Sequence, residues 1–202
     1  MPISINGSGT LTGVSVGGLP DGIVDTDMLA AAAVTAPKRG AGAILQVVQG
    51  IKKDTSSNST SATSYWNTDV TVDITPSHAN NKILLTGYIQ VGVAGPQHNI
   101  GVAIHKAGSL ITDYLGNSAG SRSRVATNGD NSPDGGYTNA MGNIIFEYLD
   151  TAGGTSSITY GIALRNPSSI TRTLKINYAE TDTDNIYHQR ATSLITAMEI
   201  AV

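Results

Sequence analysis

The sequence has no cysteine, little charge and few aromatic rings, and each shortage excludes something. Without thiols there is no disulfide framework, no thiolate nucleophile and no cysteine-based zinc site. Charged side chains make up 13% of the 202 residues, with a net charge of −3, against about 25% charged in ordinary soluble domains. No basic field is available to hold phosphates, so a nucleic-acid partner is not expected. Basic residues are adjacent only in short pairs such as Lys38-Arg39. Nor is there a run of about 18 apolar residues, so no transmembrane helix and no membrane insertion are expected. The opening MPISINGSGTLTGVSVGGLPDG lacks a positive start and an apolar stretch, which argues against a secretory signal and for a product that stays soluble in the cytosol where it is made. The sequons at Asn6 and Asn58 then carry little weight.

What is present divides near residue 43. Residues 1–43 are rich in Gly and Ala, hold no aromatic residue and have few large apolar side chains. Such a segment cannot enclose a core of its own. It is expected to be an extended arm, either disordered or ordered by another chain. The stretch GIVDTDMLAAAAVTAPKRGAG, 22–42, carries the arm's only helix signal. Asp25 or Asp27 would cap a short helix from Met28 to Val34, and Pro37 and Gly40 would stop it. A helix that short is marginal alone in water, so its stability must come from packing. Val24, Met28, Leu29, Ala31, Ala32, Val34, Lys38 and Arg39 are the candidate docking and oligomerisation residues. Small residues let chains approach closely, and Lys38-Arg39 suits an acidic partner or simply solvent.

From Ile44 onward the apolar period is two. Val70, Val72 and Ile74 alternate with polar residues, as do Ile100, Val102 and Ile104; Ile158, Tyr160, Ile162 and Leu164; and Leu174, Ile176 and Tyr178. At the C-terminus the pattern assigns Leu194, Thr196, Met198, Ile200 and Val202 to one face. This periodicity marks half-buried antiparallel strands. KILLTGYIQVGV and NIIFEYLD are apolar on both faces, which suggests central strands or strands covered by a neighbouring chain. Turn signals separate the runs at 76–81, 94–97, 106–109, 150–157 and 166–169. Nine to eleven strands and no convincing helix predict a sandwich or barrel, and the number suits a jelly roll. Trp66 and Tyr65 should face opposite sides of one strand, one in the core and one at a rim or interface.

Two long polar stretches, 116–139 and 179–192, are the candidate recognition loops. Their candidate residues are Arg122, Arg124, Asn128, Asp130, Asn131, Asp134 and Tyr137 in the first, and Asp182, Asp184, Tyr187 and His188 in the second. Polar, weakly charged loops suit hydrogen bonding to a glycan.

Signals for catalysis and metals are thin. Gly116-Asn117-Ser118-Ala119-Gly120 matches the nucleophile-elbow string, with Asp150 and His188 following. The elbow needs a helix after it, and SRSRVATNGDN gives none, so a surface turn is the reading adopted and no enzyme is expected. His98 and His105 are an odd number apart, so one straight strand cannot aim both at a metal. Asp130–Gly135 and Asp182–Asn185 offer oxygen ligands but miss the spaced calcium loop, and turn chemistry explains them. No metal or cofactor is expected.

Several stretches together resemble a known group. ILQVVQG (44–50), VTVDITPSHANNKILLTGYIQV (70–91), FEYLDTAGGTSSITYGIAL (146–164), KINYAE (175–180) and SLITAMEIAV (193–202) resemble, in wording, order and spacing, a C-terminal β-domain of virion structural proteins of tailed bacteriophages, marine and cyanobacterial ones included. AVTAPKRGAGA (33–43) partly resembles units found upstream of such domains in phage fibres, with Pro37 and Arg39-Gly40 departing from their pattern. The resemblance implies a homotrimer, a jelly-roll-like knob over 44–202, and attachment of the N-terminal arm to other virion proteins of capsid or tail.

The expectation is therefore a mainly β protein: an antiparallel jelly-roll-like sandwich preceded by an extended Gly/Ala-rich arm with at most one short helix. Its expected role is a fibre or spike of the virion whose knob faces a glycan or protein of the host surface. The alternative is capsid decoration, cement or tail assembly without receptor binding. A surface hydrolase and a cellular receptor-ligand knob are the weaker readings.

Overall fold

The computed structural model describes residues 4–5, 11–12, 34, 38–61, 64–93, 99–129, 139–166 and 169–202. The chain divides into two units, Met1–Arg39 and Gly40–Val202. In the first, β1 (Ser4–Ile5) pairs antiparallel with β2 (Leu11–Thr12). The helix expected from Met28 to Val34 falls outside the described residues except for Val34, which is exposed and not helical.

The second unit is an antiparallel β-sandwich of eleven strands. One sheet holds β3 (Ile44–Lys52), β4 (Ser56–Thr60), β6 (Lys82–Val93), β10 (Gly142–Thr151), β12 (Arg172–Ile176) and β13 (Ser193–Ile200). The other holds β5 (Tyr65–Ile74), β7 (Ile100–Lys106), β8 (Ser109–Leu110), β9 (Thr127–Gly129) and β11 (Ile158–Arg165).

The first sheet is only four strands wide, because two pairs of strands lie end to end. β10 covers one edge of β6 from Lys82 to Val91. On the other edge β13 pairs with residues 82–88 and β12 with 91–93. β3 then pairs with β13, and β4 with β12. The order across the sheet is β3/β4, β13/β12, β6, β10. In the second sheet β5, β11 and β7 are adjacent, and β8 and β9 share the far edge of β7. Successive strands cross between sheets repeatedly, so nearly every ladder joins residues distant in sequence.

Alternation explains the core. Val70, Val72 and Ile74 of β5, Ile100, Val102 and Ile104 of β7, and Tyr160, Ile162 and Leu164 of β11 face Ile83, Leu85, Ile89, Phe146, Leu174, Ile176 and Ile195 of the first sheet. Ala107 and Gly108 both take positive φ in the two-residue turn from β7 to β8, as its right-handed twist demands. Gly50 marks a close approach of the two sheets: a Cβ there would stand 1.8 Å from the carbonyl oxygen of Thr71.

The last strand corrects the sequence reading. Its core face is Ser193, Ile195, Ala197 and Glu199, all buried, while Leu194, Met198 and Ile200 are half-buried and Val202 is exposed beyond the strand. Apolarity misled here because a carboxylate takes an inward position. Glu199 sits at the end of the sandwich, 1% exposed, among donors that solvate it in place of water. β6 is central as expected, but β10 pairs only with β6 among the described strands, and its outward Ile145 and Leu149 are exposed.

Candidate functional site

Among the described residues, polar networks hold the sandwich's rims, and two of its clefts have well-defined linings. The Glu199 carboxylate accepts hydrogen bonds from Asn81 Nδ2 (2.6 Å), Gln46 Nε2 (2.6 Å), Ser77 N (2.7 Å) and Ser77 Oγ (2.8 Å). Burial by itself would raise its pKa, and these donors outweigh it and hold the carboxyl below the ordinary range. Lys52, also buried, donates to Asp69 (2.6 Å) and Asp54 (2.9 Å). Burial lowers its pKa, but the two carboxylates prevail and hold the ammonium above its usual value. Asp150 accepts from Tyr160 Oη (2.6 Å) and Lys106 Nζ (2.7 Å). Burial first, and the adjacent Asp150 second, push the Tyr160 hydroxyl far up, so it stays a proton donor.

The first cleft, of ≈ 360 Å³, lies on the second sheet and is lined by Asn99, Gly101, Ser121, Arg122, Ser123, Val125 and Asn128. Its wall is the segment from the 3₁₀ turn Thr112–Tyr114 to β9. This segment has little regular structure, so side chains fix it. Arg124 donates from Nε to Gly116 O (2.6 Å) and from Nη2 towards Thr112 O (3.4 Å) and Leu115 O (3.5 Å). Tyr65 donates its hydroxyl to Arg124 O, with the Arg165 guanidinium 5.1 Å from the Tyr65 ring centroid. Trp66, its neighbour, packs against the core, as strand alternation requires. Ala126 N donates to Val102 O (2.8 Å), and Gly101 leaves room for the segment: a Cβ there would lie 2.3 Å from Val125 Cγ1.

The second cleft, of ≈ 560 Å³, lies at one end of the first sheet's outer face. Lys53, Tyr88, Gln90, Asn143, Arg190, Ala191 and Thr192 line it. Gln90 and Asn143 are cross-strand partners on β6 and β10. Tyr88 and Thr192 hydroxyls are 3.2 Å apart. Arg190 binds Asp182 at 2.7 Å, with its guanidinium 5.6 Å from the Tyr178 ring centroid. Two cations, two amides, a hydroxyl pair and a phenol ring make this a polar surface with positive charge at one side.

The sequence-derived candidates separate into distinct roles. Arg122 and Asn128 line the first cleft. Arg124 supports its wall from behind. Asp182 orients Arg190 for the second cleft. His188 accepts from Thr183 N (3.2 Å) and meets Thr183 Oγ1 at 2.7 Å, closing its own loop. Asp184 and Tyr187 are exposed at that loop's tip, where an Asn185 side-chain turn holds the Tyr187 amide at 3.0 Å. Asp130, Asn131, Asp134 and Tyr137 lie outside the described residues, as do Val24, Met28, Leu29, Ala31 and Ala32. Val34, Lys38 and Arg39 are exposed. Lys53, Tyr88, Gln90 and Asn143 were not singled out by the sequence, because each comes from a strand or strand end with no motif of its own.

Gly116–Gly120 runs through irregular chain after the 3₁₀ turn, and Asp150 and His188 are engaged with the partners named above. No group of three or more metal-ligating side chains occurs among the described residues, and no helix among them is long and apolar enough to cross a membrane. Compared with models of protein families and with curated proteins, the chain matches neither a family model nor a curated sequence.

Proposed function

We propose that the chain is a virion structural protein of a tailed phage. In this reading it is a homotrimeric fibre or spike, with residues 1–43 docked on other virion proteins and the sandwich turned outward for attachment to the host surface. The strand order carries the proposal. β3/β4, β13/β12, β6, β10 facing β5, β11, β7, β8/β9 is the order expected of a jelly roll, in which two four-strand layers arise from paired Greek keys. That architecture recurs in viral capsid and lectin domains. The low charge, the virion-type resemblance of the strands and the two polar clefts agree with it.

The ligand class that fits the first cleft is a surface saccharide. Amides, hydroxyls and arginine hydrogen-bond sugar hydroxyls, and the lining of the first cleft is Asn99, Ser121, Arg122, Ser123 and Asn128. Particles bearing Arg122→Ala together with Asn128→Ala are expected to assemble normally and to adsorb at least tenfold more slowly. Unchanged adsorption would remove this cleft from the attachment role.

A second reading is decoration, cement or tail assembly without a receptor. The broad apolar outer face of the first sheet favours it, since such a face serves packing better than saccharide binding. Particles lacking the protein separate the readings: loss of adsorption supports the first, and fragile particles that still adsorb support the second.

A further inference from the structure

The outer face of the first sheet presents apolar side chains in ordered rows. Register places Ile51, Leu194, Tyr88 and Ile145 in one row across β3, β13, β6 and β10. The next row is Gln49, Thr196, Thr86 and Glu147, and the third is Val47, Met198, Leu84 and Leu149. The middle strands' members are half-buried by their neighbours, apart from Thr196, which is buried. The exposed ones stand on the two edge strands: Val47 (55%) and Ile51 (51%) on β3, Ile145 (68%) and Leu149 (51%) on β10.

Single apolar side chains are ordinary on a protein surface. Here four of them share one face and stand at matching heights on its two edges, Ile51 and Ile145 in one row and Val47 and Leu149 in another.

The two edges of the face complement one another. Glu147 is the one charged residue among the twelve, and Gln49 ends the same row on the opposite edge. A second copy related by rotation about an axis along the strands keeps each row at its own height. It sets Ile51 beside Ile145, Gln49 beside Glu147, and Val47 beside Leu149. Like edges meeting would instead bring two Glu147 carboxylates together. We propose that this face is the contact between copies of the chain, with β3 of one copy against β10 of the next. Such a head-to-tail contact closes into a ring when its rotation divides a full turn. The closure at three copies rests on the trimer reading above, and the edge pairing rests on the face itself.

The cysteine-free sequence makes the contact testable by disulfide trapping in the full chain. Within one copy, residues 49 and 147 are three strand spacings apart, about 14 Å, too far for a disulfide, which needs Cα atoms within roughly 7 Å. A chain carrying Gln49→Cys and Glu147→Cys should therefore link only to other copies. On oxidation it is expected to run as a covalent trimer on a non-reducing gel, while each single-cysteine chain stays unlinked. Linking by Gln49→Cys alone, or no linking by the double variant, would overturn the proposal. Independently, Ile145→Lys with Leu149→Lys should reduce the mass by light scattering to one chain while far-UV circular dichroism is kept. An unchanged mass, or a monomeric unsubstituted chain, would also overturn it. Adsorption is read separately, so linked trimers that fail to attach would count against the attachment role and not against this contact.

Discussion

The hydroxyl of Ser193 donates to the side-chain carbonyl of Asn177 at 2.7 Å, across a loop that separates them by sixteen positions. The same Asn177 amide donates to Lys52 O (3.0 Å) and Asp54 O (2.9 Å). Its backbone N–H donates to Gln90 O (3.0 Å), and Ser193 Oγ accepts from Gln90 N (2.9 Å). Asn177 and Ser193 thus tie the ends of β3, β12 and β13 to β6 at Gln90, where the sheet changes from one tandem strand to the next. Asn177 also has φ 66°, a conformation that asparagine tolerates better than other non-glycine residues.

Substitution at this junction should separate conformation from bonding. Asn177→Gly keeps the positive φ but removes the side-chain donor to two carbonyls and the acceptor of the Ser193 hydroxyl, at a cost of about 2 kcal/mol. Asn177→Leu adds backbone strain and should cost about 1 kcal/mol more. Urea unfolding of both variants measures the difference; equal stabilities would show that φ is not a constraint there.

Acid should destabilise the sandwich through Glu199. Its folded pKa lies below its unfolded one, so the unfolded chain takes up the proton first. The contribution is complete above about pH 4.5 and is lost as pH falls towards the folded value. Glu199→Gln should flatten this part of the stability–pH curve and lower stability at pH 7 by about 2–3 kcal/mol, since the bonds to the charged acceptor are lost. Melting temperatures across pH 3–7 provide the test.

His105 predicts a second, milder slope in the same direction. The ring is buried over Gly161, and neither nitrogen has a hydrogen-bond partner among the described residues. Burial lowers its pKa. The unfolded chain therefore binds a proton that the folded chain refuses, and stability declines as pH falls below about 6.5. Replacement by Phe should remove the slope between pH 6.5 and 5, while the Glu199 slope below it stays.

The wall of the first cleft should depend on Arg124. Arg124→Ala removes the donors to the carbonyls of Gly116, Thr112 and Leu115. Amides of Gly116 and Ala126 should then exchange at least tenfold faster while those of β6 keep their protection. Gly101→Val should act likewise, because the new side chain would overlap Val125. Faster exchange across β6 as well would mean the segment is part of the core rather than a wall upon it.

Much of the sandwich is legible residue by residue. Val70, Val72 and Ile74 alternate in the sequence and are buried together, because a strand with one solvated face can hide only every second side chain. Alternation holds in β13 too, but its inward face is Ile195, Ala197 and Glu199 and not the more apolar one, because a network from Asn81, Gln46 and Ser77 makes an inward carboxylate acceptable. Those partners are far away in sequence, and no local pattern predicts them. The clefts divide in the same way. Arg122 and Asn128 belong to one conspicuous polar stretch, whereas Lys53, Tyr88, Asn143 and Arg190 come from four separate segments.

By itself the sequence determined the antiparallel strands, their alternation and the absence of thiol chemistry, because each depends on nearest neighbours and composition. Tertiary structure decided which strands lie end to end, which face of β13 points inward, and that Val47, Ile51, Ile145 and Leu149 share one exposed surface. Those outcomes depend on register between segments roughly 50 to 150 residues apart, and register is set by the whole packed sandwich rather than by any one strand.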